Sequence, residues 1–281
     1  MWNKRKAAIL MQQERVSVQT ETGTPIVGNK VQGSDLSEVP DDKLRTSPYS
    51  LITTVISTED PIILIRGYSS GTAYVVAKRY LFTSAHVVWG DSGLKRGINV
   101  VLDPSDLNNF STPWSYPVQG VFIPNSYTSA IGDVQTMHDY ALLDLGQDVF
   151  SSVIEIRGEI TGMPEVTISG YPSAKSAHRG GDMINPNKQC KASGTAIEIE
   201  LGQRIMEYPL TAYPGMSGSP VLVVADTDPN KFYSIGIHRG SGKSGITNRA
   251  IHFSKSIYEQ VTEWLAGKPT NNSTYFKVER S

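Results

Sequence analysis

Three short segments of the chain carry the residue types of a hydroxyl nucleophile, the base that activates it and the acid that orients the base. Leu81-Phe82-Thr83-Ser84-Ala85-His86-Val87-Val88 sets a histidine just after a β-forming run. His138-Asp139-Tyr140-Ala141-Leu142-Leu143-Asp144-Leu145 sets an aspartate just before one. Pro214-Gly215-Met216-Ser217-Gly218-Ser219-Pro220-Val221 sets a serine in a glycine-flanked turn before a third. A serine hydroxyl is a poor nucleophile at neutral pH and needs a neighbouring base. Histidine can take that proton and return it. An aspartate behind the ring fixes its tautomer and stabilises the imidazolium. Glycine beside the serine lets backbone N–H groups converge on an oxyanion. Alone, each segment also suits a packed histidine, a strand-opening aspartate or a plain turn. Together, in the order His86, Asp139, Ser217, they point to nucleophilic hydrolysis.

The elements that must position these residues are short and β-rich. Runs at Leu51–Ile56, Ile62–Ile65, Ala73–Ala77, Tyr80–Thr83, Val118–Ile123, Ala141–Leu145, Val166–Ser169, Thr195–Ile199, Val221–Val224, Tyr233–Ile237 and Arg249–Phe253 are separated by clusters of Gly, Pro, Asn, Asp or Ser. This density predicts an all-β fold of antiparallel strands, a barrel or a sandwich. One helix is signalled near the end. Ser254 and Ser256 offer N-caps, and Ser256 with Glu259 makes a capping box. Ile257, Val261, Trp264 and Leu265 share a face, and Gly267 and Pro269 stop the helix. Residues 1–48 read as an extension or propeptide, 49–267 as the domain with a split near 150, and 268–281 as a tail.

With 281 residues the chain can bury a core of its own. Lys+Arg of 26 against Asp+Glu of 27 provides no global field to recruit nucleic acid, and no apolar run is long enough to span a bilayer, so neither partner is expected. Cys190 is the sole cysteine, so no intramolecular disulfide forms, and it reads as a buried or idle thiol. The five histidines at 86, 138, 178, 238 and 252 form no metal-ligand spacing, and no metal or cofactor is expected. An α/β-hydrolase needs Gly-x-Ser-x-Gly and alternating strands and helices, and a subtilisin needs Asp before His; neither suits this chain.

The three segments resemble the chymotrypsin-like serine peptidases, and in particular their bacterial glutamyl endopeptidase and exfoliative toxin branch. Ile168-Ser169-Gly170-Tyr171-Pro172 resembles that branch's Thr-Gly-Tyr-Pro, and Gly215–Val221 resembles its Gly-Asn-Ser-Gly-Ser-Pro-Val. Ile235-Gly236-Ile237-His238-Arg239-Gly240 resembles its Ile-Gly-Ile-His-Trp-Gly. The resemblance spans about residues 45 to 267. It implies two antiparallel six-stranded barrels with a C-terminal helix and a site between the barrels. It implies a triad of His86, Asp139 and Ser217, an oxyanion hole from the N–H groups of Gly215 and Ser217, and substrate paired along residues 237–241. Thr211, His238, Gly240 and Ser241 would bind substrate, with Arg239 and Lys243 adding positive potential for an acidic side chain.

Two departures refine this expectation. Met216 replaces the aspartate that in trypsin-type enzymes binds a newly cut N-terminus, so Ile26-Val27-Gly28 is no activation site of that kind. Ala212 stands five residues before Ser217, where glutamate-specific enzymes place a threonine, and this weakens the expected selectivity. Val39–Thr46 resembles the region near the mature start, and Glu38 precedes it, so self-cleavage of a zymogen there is expected. The resemblance implies secretion. Lys4–Lys6 followed by only Ala7–Met11 falls short of a secretory apolar core, however, so a cytoplasmic location stays open. The reading is a serine endopeptidase acting on protein or peptide substrates and preferring Glu or Asp before the cut. The alternatives are an inactive protease-like binding protein and an intracellular effector protease with one dedicated substrate. The oligomeric state is not readable.

Overall fold

The computed structural model describes residues 36–44, 46–58, 69–102, 115–158, 162–172, 188–200, 204–225, 228–242 and 247–279. The expected strand Ile62–Ile65, His178, Lys243 and Ile26-Val27-Gly28 lie outside them. Among the described residues two large curled sheets carry the fold, with a small hairpin of Trp89–Gly90 and Gly93–Leu94 beside them. The first runs Ser273–Lys277, Gly120–Pro124, Ala141–Asp144, Tyr80–Thr83, Ser69–Ala77, Ile52–Thr58, Arg96–Val101 and Ser115–Pro117 from neighbour to neighbour. The second runs Ser37–Glu38, Cys190–Thr195, Glu165–Gly170, Pro220–Ala225, Asp228–Ser241, Asn248–His252, Ile205–Tyr208 and Glu198–Glu200. Glu155–Ile156 lies parallel along Asp228–Ser241, and the other described pairings are antiparallel. The sheets thus hold eight and nine strands rather than six each. The excess includes short edge pieces such as Ser37–Glu38 and Glu155–Ile156.

Tyr80–Thr83 and Ala141–Asp144 pair with each other and are buried at every position. A strand covered on both faces must be apolar continuously, which is why Tyr-Leu-Phe-Thr and Ala-Leu-Leu-Asp read so plainly. These two strands also aim the site: His86 follows the first and Asp139 precedes the second.

The helix forms at Lys255–Leu265 with Ser254 as N-cap. No side-chain capping bond forms, so the expected capping box is absent. Ser256 sits in the first turn, where its Oγ accepts a hydrogen bond from Arg204 Nη2 at 2.8 Å. Gly267 ends the helix at a φ of +76°, a left-handed conformation that glycine adopts freely. Although the helix follows the second sheet in sequence, it packs on the first. Trp264 is fully buried, with its ring centroid 5.8 Å from that of Phe122 and 5.7 Å from that of Tyr140.

Residues 268–281, read from sequence as a tail, carry the strand Ser273–Lys277, which pairs with Gly120–Pro124. Trp264 Nε1 donates to Ser273 Oγ at 2.8 Å and locks this strand to the helix. At the other end, Ser37–Glu38 pairs with Lys191 and Cys190, and Val39 is buried with its N–H on Gln189 O at 2.8 Å. The Glu38–Val39 bond, where self-cleavage was expected, is therefore held in a sheet edge. The link between the sheets falls between Asp144 and Glu155, and the first sheet takes its last strand from the far end of the chain.

Truncation after Gly267 should expose the edge Gly120–Pro124 and strip the cover from Trp264. We expect a large fall in the thermal unfolding midpoint, read by circular dichroism; an unchanged midpoint would contradict this role for the terminal strand.

Candidate active site

The turn that carries Ser217 is held across the seam between the two sheets. Thr72, in the first-sheet strand Ser69–Ala77, donates its N–H to Ser217 O at 2.8 Å and its Oγ1 proton to Gly215 O at 2.9 Å. Thr72 O in turn accepts from Thr83 Oγ1 at 2.8 Å. On the second-sheet side, Gly218 N donates to His238 O and His238 N to Ser219 O, both at 2.8 Å. His238 O also accepts from Ser84 Oγ at 3.0 Å, which ties the turn before His86 to the same node. The approach is so close that a Cβ on Gly218 would fall 2.0 Å from Thr72 O, and its φ is +92°. Only glycine satisfies both conditions. Gly170 of the Gly-Tyr-Pro segment is likewise squeezed, since a Cβ there would lie 2.0 Å from Ser219 Oγ.

His86 sits in the helical turn Ala85–Val88. Its Nδ1 is 2.7 Å from Asp139 Oδ2, and its backbone N–H donates to Asp139 Oδ1 at 2.9 Å. Asp139 is 1% exposed. Burial would raise its pKa, but the His86 ring, the hydrogen bonds from His86 and the Arg239 cation outweigh burial and hold the carboxyl below its usual range. An ionised carboxylate on Nδ1 keeps the proton there and leaves Nε2 as the basic nitrogen. Ser217 is half-buried, and its Oγ donates to Arg239 O at 3.2 Å rather than to His86. The N–H groups of Gly215 and Ser217 donate no hydrogen bond among the described residues. Met216 is fully buried in the second core, so its side chain is packing.

The remaining expected residues lie on the segment before the Ser217 turn and at the end of the strand Asp228–Ser241. Thr211 and Ala212 are half-buried on the segment before the turn. His238 is 2% exposed, with Nδ1 2.7 Å from Tyr208 Oη. Burial, and then the charges of His86 and Arg239, push its pKa down to about 3, so the ring is neutral. Ile237 pairs on both sides, with Pro220 and Ile251, and both backbone groups of His238 are bonded. Gly240 and Ser241 pair only with Arg249 and Asn248. The open strand edge is therefore 239–241 rather than 237–241.

Thr72, Thr83 and Tyr208 went unmarked in the sequence because their partners are remote and nothing local distinguishes them. Cys190 is buried, which raises its thiol pKa to about 12. Among the described residues no group of His, Cys, Asp and Glu is placed to hold a metal. No helix described is long and apolar enough to cross a membrane.

No protein-family model matches the chain. A glutamyl endopeptidase of Bacillus licheniformis is 24% identical over 237 residues, covering 80% of this chain and 67% of that protein. A glutamyl endopeptidase of Staphylococcus epidermidis is 28% identical over 192 residues, 68% of this chain; the match spans 59% of that protein's length. Among solved structures, a Glu endopeptidase in complex with MPD matches with a TM-score of 0.61 at 18% identity, covering 86% of this chain and 99% of that one. A thermostable serine protease, AL20, from an extremophilic microorganism matches at 0.57 and 16%, covering 78% and 97%. The fold is that of the chymotrypsin-like serine proteases. Sequence likeness and fold together support a chymotrypsin-like serine peptidase close to the glutamyl endopeptidase branch.

Thr72→Val keeps the shape of the side chain but strands Gly215 O and the Tyr171 N–H that Thr72 Oγ1 accepts. It should cost about 1–3 kcal/mol in urea unfolding, whereas Thr72→Ser should restore most of that. Equal stability of Thr72→Val and the parent chain would contradict the seam described above.

Proposed function

We propose that the chain is a serine endopeptidase that cuts peptide bonds through an acyl-enzyme and prefers Glu, or Asp, before the cut. One observation carries this reading: His86 Nδ1 lies 2.7 Å from a buried Asp139 carboxylate, on the seam that also holds the turn of Ser217. Substrate backbone pairs along the open edge 239–241. The Ser217 hydroxyl swings from Arg239 O to His86 Nε2 and passes its proton there as Oγ bonds to the scissile carbon. The N–H groups of Gly215 and Ser217 take up the oxyanion. His86 then gives the proton to the leaving amine as the C–N bond breaks. Water, deprotonated by His86, then adds to the acyl carbon, the C–Oγ bond breaks to release the acid, and His86 returns the proton to Ser217 Oγ.

Specificity follows from neutral groups. Thr211 stands six before Ser217, where a cation-binding pocket would hold an aspartate. Tyr208 Oη lies 2.7 Å from Nδ1; in the tautomer in which that hydroxyl donates, the neutral His238 ring carries its proton on Nε2. That N–H can donate to a carboxylate without a charge of its own. Ala212 supplies no hydroxyl, so the preference for Glu over Asp is weaker than a full donor set would give.

A cleavage profile on a peptide library, read by mass spectrometry, tests both parts. Ser217→Ala or His86→Ala should cost on the order of 10⁶ in kcat, and Asp139→Asn about 10⁴. His238→Ala should cost about 2–4 kcal/mol in kcat/KM for glutamyl peptides and much less for a small apolar residue at that position. Near-normal turnover in Ser217→Ala, or cleavage after Lys, Arg or large aromatics, would overturn the reading.

A further inference from the structure

Arg239 stands where its strand, Asp228–Ser241, slips against Asn248–His252. Between His238, which faces Ala250, and Gly240, which faces Arg249, the register shifts, and Arg239 has no partner of its own. A bulge of this kind re-aims the side chain it frees. The freed guanidinium reaches across the seam: Arg239 Nε lies 3.0 Å from Asp139 Oδ2, the same oxygen that meets His86 Nδ1. Nε has no aligned hydrogen-bond partner, so the contact is Coulombic rather than a directed bond. The main-chain oxygen of the same residue accepts the Ser217 hydroxyl. One residue of the second sheet therefore touches both the nucleophile and the acid behind the base. The positive potential expected from Arg239 for an acidic substrate is spent on Asp139 instead.

We propose that Arg239 is a positioning residue that sets the field of Asp139 on His86. This deepens the endopeptidase reading and rests on it for its catalytic consequence. Asp139 is buried with a single negative charge, and His86 and Arg239 share one oxygen of it. A fixed cation at that oxygen keeps the carboxylate ionised and offsets part of its pull on an imidazolium. Asp139 is thereby held from the second sheet while it faces Nδ1 of His86 on its own side of the seam. The bulge is what makes this possible, since a regular strand would give residue 239 a ladder partner.

The other charged or titratable groups around the pair leave Arg239 as the controlling cation. His238, on the same strand, is neutral. Tyr127, from the helical turn Asn125–Ser129, is kept un-ionised by burial and then by the Asp139 charge, against the opposing pull of Arg239. Lys95 Nζ donates to the main-chain oxygen of His86 at 3.3 Å rather than to the Asp139 carboxylate.

The test is a proton NMR titration of the downfield His86 Nδ1–H resonance in the full chain, beside the pH profile of kcat/KM on a glutamyl peptide. Wild type, Arg239→Gln and Arg239→Lys are compared, with circular dichroism to confirm folding. In Arg239→Gln the titration midpoint should rise by about 1 pH unit, and the acid limb of kcat/KM should move up with it. Arg239→Lys, which restores the charge, should stay near wild type. A folded Arg239→Gln with an unmoved midpoint overturns the proposal, as does Arg239→Lys shifting as far as Arg239→Gln. A shifted midpoint in a chain that hydrolyses nothing upholds the role of Arg239 and removes the endopeptidase reading. Hydrolysis with an unmoved midpoint does the reverse.

Discussion

Everything in the site depends on one close contact, the N–H of Thr72 on the carbonyl of Ser217. It joins a strand of the first sheet to the Ser217 turn of the second at 2.8 Å, in a space with no room for a Cβ at position 218. Thr72 itself is fully buried, so the bond is shielded from water and an unmet partner would be costly. Because both sheets contribute, the turn takes its shape only when the two halves dock. His238 repeats the arrangement from the other side: its carbonyl receives Gly218 N–H from the second sheet and the Ser84 hydroxyl from the first.

The fold reinforces that docking by exchanging elements. The helix Lys255–Leu265 and the strand Ser273–Lys277 follow the second sheet but complete the first, through Trp264 against Phe122 and Tyr140. The chain thus closes on itself around the seam without a disulfide. Electrostatics follow the same line. Asp139, from the first sheet, is buried and answered by His86 beside it and Arg239 across the seam. Arg239 also adds to the positive field that, with burial, keeps His238 neutral. The site thus sets a neutral, buried His238 ring on the same strand as the cation that meets the Asp139 carboxylate.

What could be read from the sequence divides along the range of the interactions. Tyr80–Thr83 was legible to the residue because a strand buried on both faces is apolar throughout. Of His86, Asp139 and Ser217, each marked in the sequence by its place at a strand boundary, the structure brings His86 and Asp139 into contact and sets the Ser217 hydroxyl on Arg239 O. Cys190–Thr195 was not, since Lys191, Ser193 and Gly194 carry no strand preference and pairing with Glu165–Gly170 makes the strand. The terminal strand Ser273–Lys277 was read as tail because its partner Gly120–Pro124 lies some 150 residues earlier. The Ser256 capping box failed because Arg204, distant in sequence, claims the Ser256 hydroxyl. Arg239 was visible as a charge, but its target depends on a bulge that no local pattern announces.

Amide hydrogen exchange at Thr72 tests the seam most directly. The account predicts that this N–H exchanges only with global unfolding, as slowly as the amides of the core strand Tyr80–Thr83, and that Gly218→Ala releases it selectively. Fast exchange of Thr72 in the parent chain, while Tyr80–Thr83 remains protected, would contradict it.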